Sequence, residues 1–183
     1  MNRLLKLQSR VQRFSLPQKE GFQINGSGLK QPSLPVMVSR ENTTSAYLLI
    51  VGQLVRNGSQ TPLPRMSVQL DGIFVQNKRV SVKPVVDLAK TDSKGSFVLM
   101  VSYPMDVKNS LSQAKARVLV AGQDGAFELP ILPYESQGNT EWKKILNEKP
   151  VNSVLHRLHL PSEKQLLQSK QLEFIAVETL QID

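Results

Sequence analysis

The polar segment from Lys90 to Gly95 leads directly into a regular alternation of side chains, and this is the clearest pattern in the chain. Asp92 and Ser93 favour a turn because their short side chains hydrogen-bond to nearby backbone amides. Gly95 can take the left-handed conformation that ends such a loop. Beyond it, alternate residues of 96–102 point to opposite faces, one of them strongly apolar. The pattern predicts a β-hairpin.

Further short alternating segments lie on both sides of this hairpin. Strands are predicted over 47–55, 66–70, 73–82, 97–103, 115–121 and 126–129. Gly52 interrupts the first of them and is expected to form a bulge. Asn57-Gly58 and Asp71-Gly72 are expected as turns, and Asn77-Lys78 as a turn or a continuing strand. Short strands with turns every ten or so residues indicate a sandwich-like or closed antiparallel architecture, not a parallel α/β sheet.

Residues 1–45 have a different pattern, which predicts a basic N-terminal arm and linker. In residues 1–16, apolar side chains recur at helical spacing and each is preceded by a cation. These candidate partner-binding residues are Arg3, Leu4, Lys6, Leu7, Arg10, Val11, Arg13 and Phe14. The stripe is compatible with a helix docked on a partner protein, an interfacial membrane anchor or an organelle transit peptide. Residues 17–45 are rich in proline and glycine and predict an extended linker.

Residues 134–183 predict a small α+β extension packed on the β domain or on a neighbour. Its elements are a helix over 141–147, a strand over 154–160, a helix over 163–171 and a strand over 174–182. Ser162 and Gln165 have the spacing of a capping box. The apolar residues Leu166, Leu167, Leu172 and Ile175 also permit one long helix in place of the last two elements.

Composition narrows the class of protein. The chain has 183 residues, 40% hydrophobic and 21% charged, which suits one domain with extensions. The absence of cysteine excludes disulfides, thiolate zinc sites and cysteine nucleophiles. A net charge of +8 suggests an acidic partner, such as nucleic acid, an anionic membrane surface or an acidic protein face.

The sequence also bears on location and membrane association. No apolar run approaches the roughly 20 residues of a membrane helix, so no transmembrane segment is predicted. The N-terminal residues lack the continuous apolar stretch of a secretory signal. We therefore expect the protein in the cytoplasm or within an intracellular assembly.

Candidate chemical sites are few. On a helix His156 and His159 would share one face as a possible metal pair, but on the predicted strand they point to opposite faces. Without a nearby Asp, Glu or Cys the metal site is incomplete in either case. The Asp92 loop lacks the further carboxylates that a calcium ion requires. Trp142 beside Lys143 and Lys144 suggests either a nucleic-acid contact or a tryptophan packed on the domain. We expect no catalytic residue, no metal site and no cofactor, and therefore no enzyme activity.

Residues 52–121 carry the motifs of a known domain. The matches are Gly52-Gln53-Leu54-Val55, Pro62-Leu63-Pro64, Val68-Gln69-Leu70 and Thr91-Asp92-Ser93-Lys94-Gly95-Ser96-Phe97-Val98-Leu99. This segment resembles a carboxypeptidase regulatory-like domain, the transthyretin-like or prealbumin-like β-sandwich. The spacing between Leu70 and Thr91 is longer than is usual in that family. The resemblance implies a non-catalytic module that supports or attaches another component.

Together these observations predict a mainly β protein. Its expected core is an Ig-like, prealbumin-like antiparallel β-sandwich over 46–133, between the arm 1–45 and the extension 134–183. The expected function is a structural or adaptor subunit of a larger protein assembly, by analogy with phage-tail-like or injection-type machines. The alternatives are a basic nucleic-acid-binding module of a ribonucleoprotein and an enzyme with an unrecognised site.

Overall fold

The structure, a computed structural model, describes residues 45–134, Lys143 and residues 148–183. The eight candidate partner-binding residues of the N-terminal arm lie outside this part of the chain. Trp142 and most of the predicted helix over 141–147 also lie outside it. No helix within the described part has the length and apolar character needed to cross a membrane.

Strands make up about half of the described residues. They are β1 (Ala46–Arg56), β2 (Ser67–Val75), β3 (Lys78–Arg79), β4 (Lys83–Val86), β5 (Leu88–Lys90), β6 (Ser96–Tyr103), β7 (Lys115–Val120), β8 (Ala126–Pro133) and β9 (Leu172–Ile182). The helices are α1 (Lys108–Leu111), which follows a 3-10 turn at Met105–Val107, α2 (Glu148–Arg157) and α3 (Glu163–Gln168). The strands form one curled mixed sheet in the order β3-β2-β7-β8-β9-β1-β6-β4, and β5 pairs with β2.

Two segments produce the curl of the sheet. Strand β8 pairs with β7 through residues 126–130 and with β9 through residues 131–133, so it continues from one half of the sheet into the other. Residues 83–90 then bring the two ends of the sheet together. Strand β4 pairs with β6, and immediately after Asp87 strand β5 pairs with β2. The crossing is fixed by a 2.7 Å hydrogen bond from the Leu70 amide to the Asp87 carbonyl.

The prediction of a mainly β protein is confirmed, but its all-antiparallel arrangement is not. Strand β9 lies between β8 and β1, and it runs parallel to β1 from Tyr47↔Leu172 to Arg56↔Ile182. The last strand of the predicted C-terminal extension is therefore an internal strand of the sheet. Alternation along a sequence shows which residues share a face, but it carries no information on the direction of the neighbouring strand.

Two apolar layers explain why β1 is hydrophobic on both faces. Its inward residues, including Leu48 and Ile50, join a core enclosed by the curled sheet. Its outward residues, Leu49 and Val51, are covered by α2 and α3. The buried helix residues of this outer layer are Val151, Val154, Leu155 and Leu166. Burial on both sides makes β1 the strand around which the domain is packed.

The predicted strand over 154–160 is wrong, because α2 continues to Arg157. Val151, Val154, Leu155 and Leu158 have the i, i+3, i+4, i+7 spacing of a helix face, and all four pack in the outer layer. The apolar residues from Val154 onwards, which alternate over a short stretch, belong to this helical pattern that begins at Val151. His156 consequently lies in the last turn of α2 rather than on a strand.

The final helix and strand are predicted correctly in kind. The Ser162 hydroxyl accepts a hydrogen bond from the Gln165 amide, and the Gln165 side chain accepts one from the Ser162 amide at 3.0 Å. This capping box starts α3, which ends at Gln168, and Lys170 follows with φ of 56°. Because a left-handed residue cannot continue an α-helix, the single long helix is excluded and β9 begins at Leu172.

Two predicted glycine features are corrected. Gly52 was expected to form a bulge, but it pairs with Phe97 in an unbroken ladder. Asp71-Gly72 was expected to be a turn, but β2 continues to Val75 and the ladder to β7 is irregular between Leu70 and Gly72. The chain reverses instead after Val75, where Gln76 and Asn77 have φ of 47° and 65°.

The turn at Asp92 and Gly95 has the predicted geometry, but the predicted β-hairpin is wrong. Strand β5 before the turn pairs with β2, and β6 after it pairs with β1 and β4. Asp92 Oδ1 accepts hydrogen bonds from the amides of Lys94 at 2.8 Å and Ser96 at 2.9 Å. Gly95 has φ of 73°. The preceding Thr91 hydroxyl is buried and connects to residues 63–66, donating to the Leu63 carbonyl at 2.6 Å and accepting from the Met66 amide at 2.9 Å. The loop therefore ties the start of β6 to the connection between β1 and β2.

Replacement of Asp92 by alanine is expected to lower the free energy of unfolding by about 1–3 kcal/mol, because two backbone amides lose their acceptor. Asp92→Asn keeps an acceptor oxygen at the same place and is expected to retain most of the stability. Urea unfolding of both variants and the wild type measures the difference. Equal losses for alanine and asparagine would contradict the assigned role of Oδ1.

A second prediction concerns alkaline pH. Tyr103 is fully buried in the inner core, and burial, with the nearby Glu173 carboxylate, raises its pKa to about 12 from 10.0. The unfolded chain therefore loses this proton at a lower pH than the folded chain, so stability falls as the pH rises from 10 towards 12. Tyr103→Phe is expected to remove this part of the fall.

Denaturant unfolding between pH 8 and pH 12 tests this expectation. The informative quantity is the difference in stability between wild type and Tyr103→Phe at each pH, because it isolates the contribution of the Tyr103 hydroxyl. That difference is expected to move in favour of the phenylalanine variant above pH 10. A difference that does not change with pH would contradict the assignment.

Candidate functional site

A groove of about 850 Å³ lies between β5, the start of β6 and α2. Its apolar lining includes Val86, Leu88, Val98, Pro150, Val154 and Leu158. Val98 and Val154 are 6% and 7% exposed and belong to the outer core layer, whereas Leu88 is 59% exposed. The base of the groove is therefore well packed, and beside it the large apolar side chain of Leu88 is exposed among the described residues.

The groove exists because strand pairing stops along one edge of β6. Strand β4 covers this edge from Ser102 to Met100, and its last paired residue is Val86. The chain then crosses to β2, so β5 lies beside β6 but forms no ladder with it. The curled sheet is open at this point, between Leu88 and Val98.

The backbone direction at Val98 follows from its neighbour in the strand. Both backbone groups of Ser96 bond to Asp92: its amide donates to Oδ1 at 2.9 Å, and its carbonyl accepts from the Asp92 amide at 2.9 Å. These groups point away from β1. Because backbone groups alternate along a strand, those of Val98 point the same way, into the opening beside β5.

Two cations lie on opposite walls of the groove. Lys90 belongs to β5 and Arg157 to the last turn of α2, and both side chains are exposed. Within the described part of the chain, neither forms an ion pair. Asp92 also lines the groove, but its Oδ1 is already bonded to two amides of its own loop. The groove is thus apolar at its base, and its charged lining of two cations and one carboxylate leaves a net charge of +1 (+2 − 1).

A second depression, of about 540 Å³, surrounds a buried acid. Glu163 is 6% exposed, its carboxylate accepts a hydrogen bond from the Tyr134 hydroxyl, and its amide donates to Asn152 Oδ1 at 3.2 Å. These contacts connect the start of α3 to α2 and to the end of β8. We assign Glu163 a structural role.

The outer surface of β2, β7 and β8 carries a cluster of charged residues that neutralise one another. The Arg117 guanidinium lies 4.2 Å from the centre of the Phe74 ring and bonds to Glu128 at 3.1 Å. Lys115 reaches the same carboxylate at 2.7 Å. Hydrogen bonds from Lys115 and then Arg117 lower the pKa of Glu128. This cluster offers little free charge to a ligand.

The candidate chemical sites of the sequence remain separate in the structure. Over residues 45–134, 143 and 148–183, no group of three or more His, Cys, Asp or Glu side chains could hold a metal ion. His156 and His159 are both exposed. Tyr103, whose pKa is strongly raised, lies in the inner core at the far end of β6 from the groove.

Sequence reasoning missed the groove residues. Lys90 was placed in the polar segment before β6 and Arg157 in the predicted strand over 154–160, and no element was predicted at Leu88. One signal was available: Pro84 marks an edge in a stretch where two short apolar segments flank Asp87. That signal indicates an edge strand but does not show that the next strand pairs elsewhere.

Comparison with protein-family models, curated proteins and solved structures finds no match to this chain.

Proposed function

We propose that this protein is a non-catalytic structural or adaptor subunit of a larger protein assembly. In this role the curled sheet is the rigid body, and the groove beside β6 is one of its contacts with neighbours. The N-terminal residues 1–45 supply another contact through their basic, apolar-striped sequence. The groove is the observation on which this proposal chiefly rests.

The mechanical basis for a rigid body is the central position of β1. Its neighbours on either side are β9 and β6, and the two apolar layers cover its two faces. A strand that is buried on both faces and paired along both edges does not open without loss of the whole core. Such a body can transmit position between two partners without changing its own conformation.

The groove supports binding of protein rather than turnover of a small molecule. Leu88 is exposed and adjoins the apolar lining of the groove, and an exposed apolar surface that is contiguous is typical of protein interaction sites. The resemblance of residues 52–121 to a carboxypeptidase regulatory-like, prealbumin-like domain supports the same role, because that family serves as attachment modules.

Photo-crosslinking in the source cells tests the proposal. A photoreactive amino acid at position 88 is expected to give a discrete covalent adduct with another protein. Position 105 is the matched control, because Met105 is 50% exposed against 59% for Leu88 and lies beyond the other end of β6. The native protein is also expected to sediment well above 20.5 kDa. A monomeric native protein with no discrete adduct would overturn the proposal.

A basic nucleic-acid-binding module is the second candidate, and the distribution of charge favours it. Residues 1–44 contain seven lysines and arginines against two glutamates, a net charge of +5 out of the +8 of the whole chain. Binding should weaken steeply with salt, and glutamine at Arg3, Lys6, Arg10 and Arg13 should reduce the salt slope by roughly 0.7–0.9 for each lost phosphate contact. Absence of any gel shift with RNA or DNA at low salt would eliminate this candidate.

A further inference from the structure

We propose that the groove between β5, β6 and α2 binds an extended acidic segment of another protein. The segment places an aliphatic side chain against Val98 and Val154, and an adjacent carboxylate between Lys90 and Arg157. This inference rests on the proposed adaptor role and specifies the partner chemistry of the same site.

The open strand edge argues for an extended segment. At Val98 the backbone groups of β6 point away from β1 into a gap that neither β4 nor β5 closes with a ladder. A peptide in a strand conformation can hydrogen-bond to such an edge and send alternate side chains to its two faces. A helix would satisfy its own backbone and leave the edge unused.

The apolar floor sets the size and kind of the inserted side chain. Val98 and Val154 are nearly buried and lie below the level of the exposed Leu88. A volume of about 850 Å³ is that of a pocket that encloses a few side chains. Aliphatic side chains fit this lining, because they gain burial without leaving a polar group unpaired.

Charge complementarity determines the partner. Lys90 and Arg157 face the groove from opposite walls without ion pairs among the described residues. The guanidinium of Arg157 presents paired donors that suit a carboxylate. The chain's own residues 1–44 carry a net charge of +5, so these cations would repel them. We therefore assign the groove to an acidic segment from a different chain.

Binding of designed peptides to the full chain tests this inference. The probe is a fluorescein-labelled nonapeptide of alternating valine and glutamate, and its matched control replaces every glutamate by lysine. Anisotropy is expected to give at least tenfold tighter binding for the glutamate peptide. In ¹H–¹⁵N spectra, the glutamate peptide is expected to shift the amides of Leu88, Val98 and residues 153–158.

Charge reversal locates the interaction. The double variant Lys90→Glu/Arg157→Glu is expected to bind the glutamate peptide at least tenfold more weakly than the wild type. It is also expected to bind the lysine peptide more tightly. The control variant Lys78→Glu/Lys170→Glu makes the same change of net charge at exposed positions outside the groove, and it is expected to bind like the wild type. Circular dichroism checks that both variants are folded.

Three results would overturn the inference. They are equal affinity for the two peptides, equal loss in the two double variants, and amide shifts confined to residues outside the groove. Self-association of the peptide-free chain that Leu88→Lys abolishes would assign the groove to a second copy instead. If the crosslinking at position 88 succeeds while the peptides fail, the acidic-segment inference is wrong and the adaptor role stands. If the native protein is monomeric but binds the glutamate peptide, the adaptor role is wrong and the groove still binds acidic segments.

Discussion

Replacement of Gly95 by alanine is expected to destabilise the protein by about 3 kcal/mol or more. Gly95 has φ of 73°, a conformation that costs an alanine about 1–2 kcal/mol. An added Cβ would also lie 2.4 Å from the Leu54 carbonyl oxygen and 3.0 Å from the Leu63 amide nitrogen. Both are backbone atoms, and they are hydrogen-bonded to each other at 3.0 Å. Relief of the contact therefore requires the end of β1 to move.

Gly58 provides the matched control for this substitution. It has φ of 78°, but an added Cβ meets nothing within 4 Å. Gly58→Ala is therefore expected to lower the free energy of unfolding only by the cost of the left-handed conformation, about 1–2 kcal/mol. Urea unfolding of both variants separates backbone strain from steric overlap. Equal losses at the two positions would show that the neighbouring backbone accommodates the methyl group at Gly95.

The success of the sequence prediction at this loop has a local cause. Asp92 and Gly95 shape the turn through groups close to them in the sequence, so the local sequence is enough to predict their roles in the turn. The same holds for the capping box of Ser162 and Gln165. Interactions that close within one turn are predictable from side-chain chemistry, whatever the rest of the domain does.

Long-range arrangement was not predictable in the same way. Strand β9 joins the sheet parallel to β1, more than a hundred residues away, and alternation in either strand is the same for a parallel or an antiparallel neighbour. Residues 154–160 were assigned to a strand because a short apolar segment fits both periods. The helix was favoured by packing of Val151 and Leu155 on the outer face of the sheet.

The candidate groove was hidden for a related reason. It depends on the crossing of the chain at Asp87, where β4 leaves β6 and β5 joins β2. Each strand alone has an ordinary sequence. Only their different partners leave the edge at Val98 open, and only the position of α2 brings Arg157 to face Lys90. The cationic character of the groove is thus a property of the assembled fold.

The contact between Gly52 and Phe97 carries the second large prediction. The two residues are paired across β1 and β6, and the Phe97 ring covers the glycine from the inner core. A Cβ on Gly52 would lie 2.4 Å from Cζ of that ring and 3.1 Å from the Glu178 carbonyl oxygen. Phe97 is 2% exposed and packed in the inner core, so the ring can move only by giving up contacts with its neighbours there. Gly52→Ala is expected to lower the free energy of unfolding by about 2–3 kcal/mol through overpacking.

A double-mutant cycle identifies the ring as the cause. Phe97→Leu makes room above Gly52, so the double variant Gly52→Ala/Phe97→Leu is expected to be more stable than the sum of the two single effects by about 1 kcal/mol or more. The control pair is Gly58→Ala/Phe97→Leu, which is expected to be additive because nothing lies near Gly58. Urea unfolding supplies all the values. Additivity in the first pair would mean that the alanine at position 52 is resisted by the backbone of β9, through Glu178, and not by the ring.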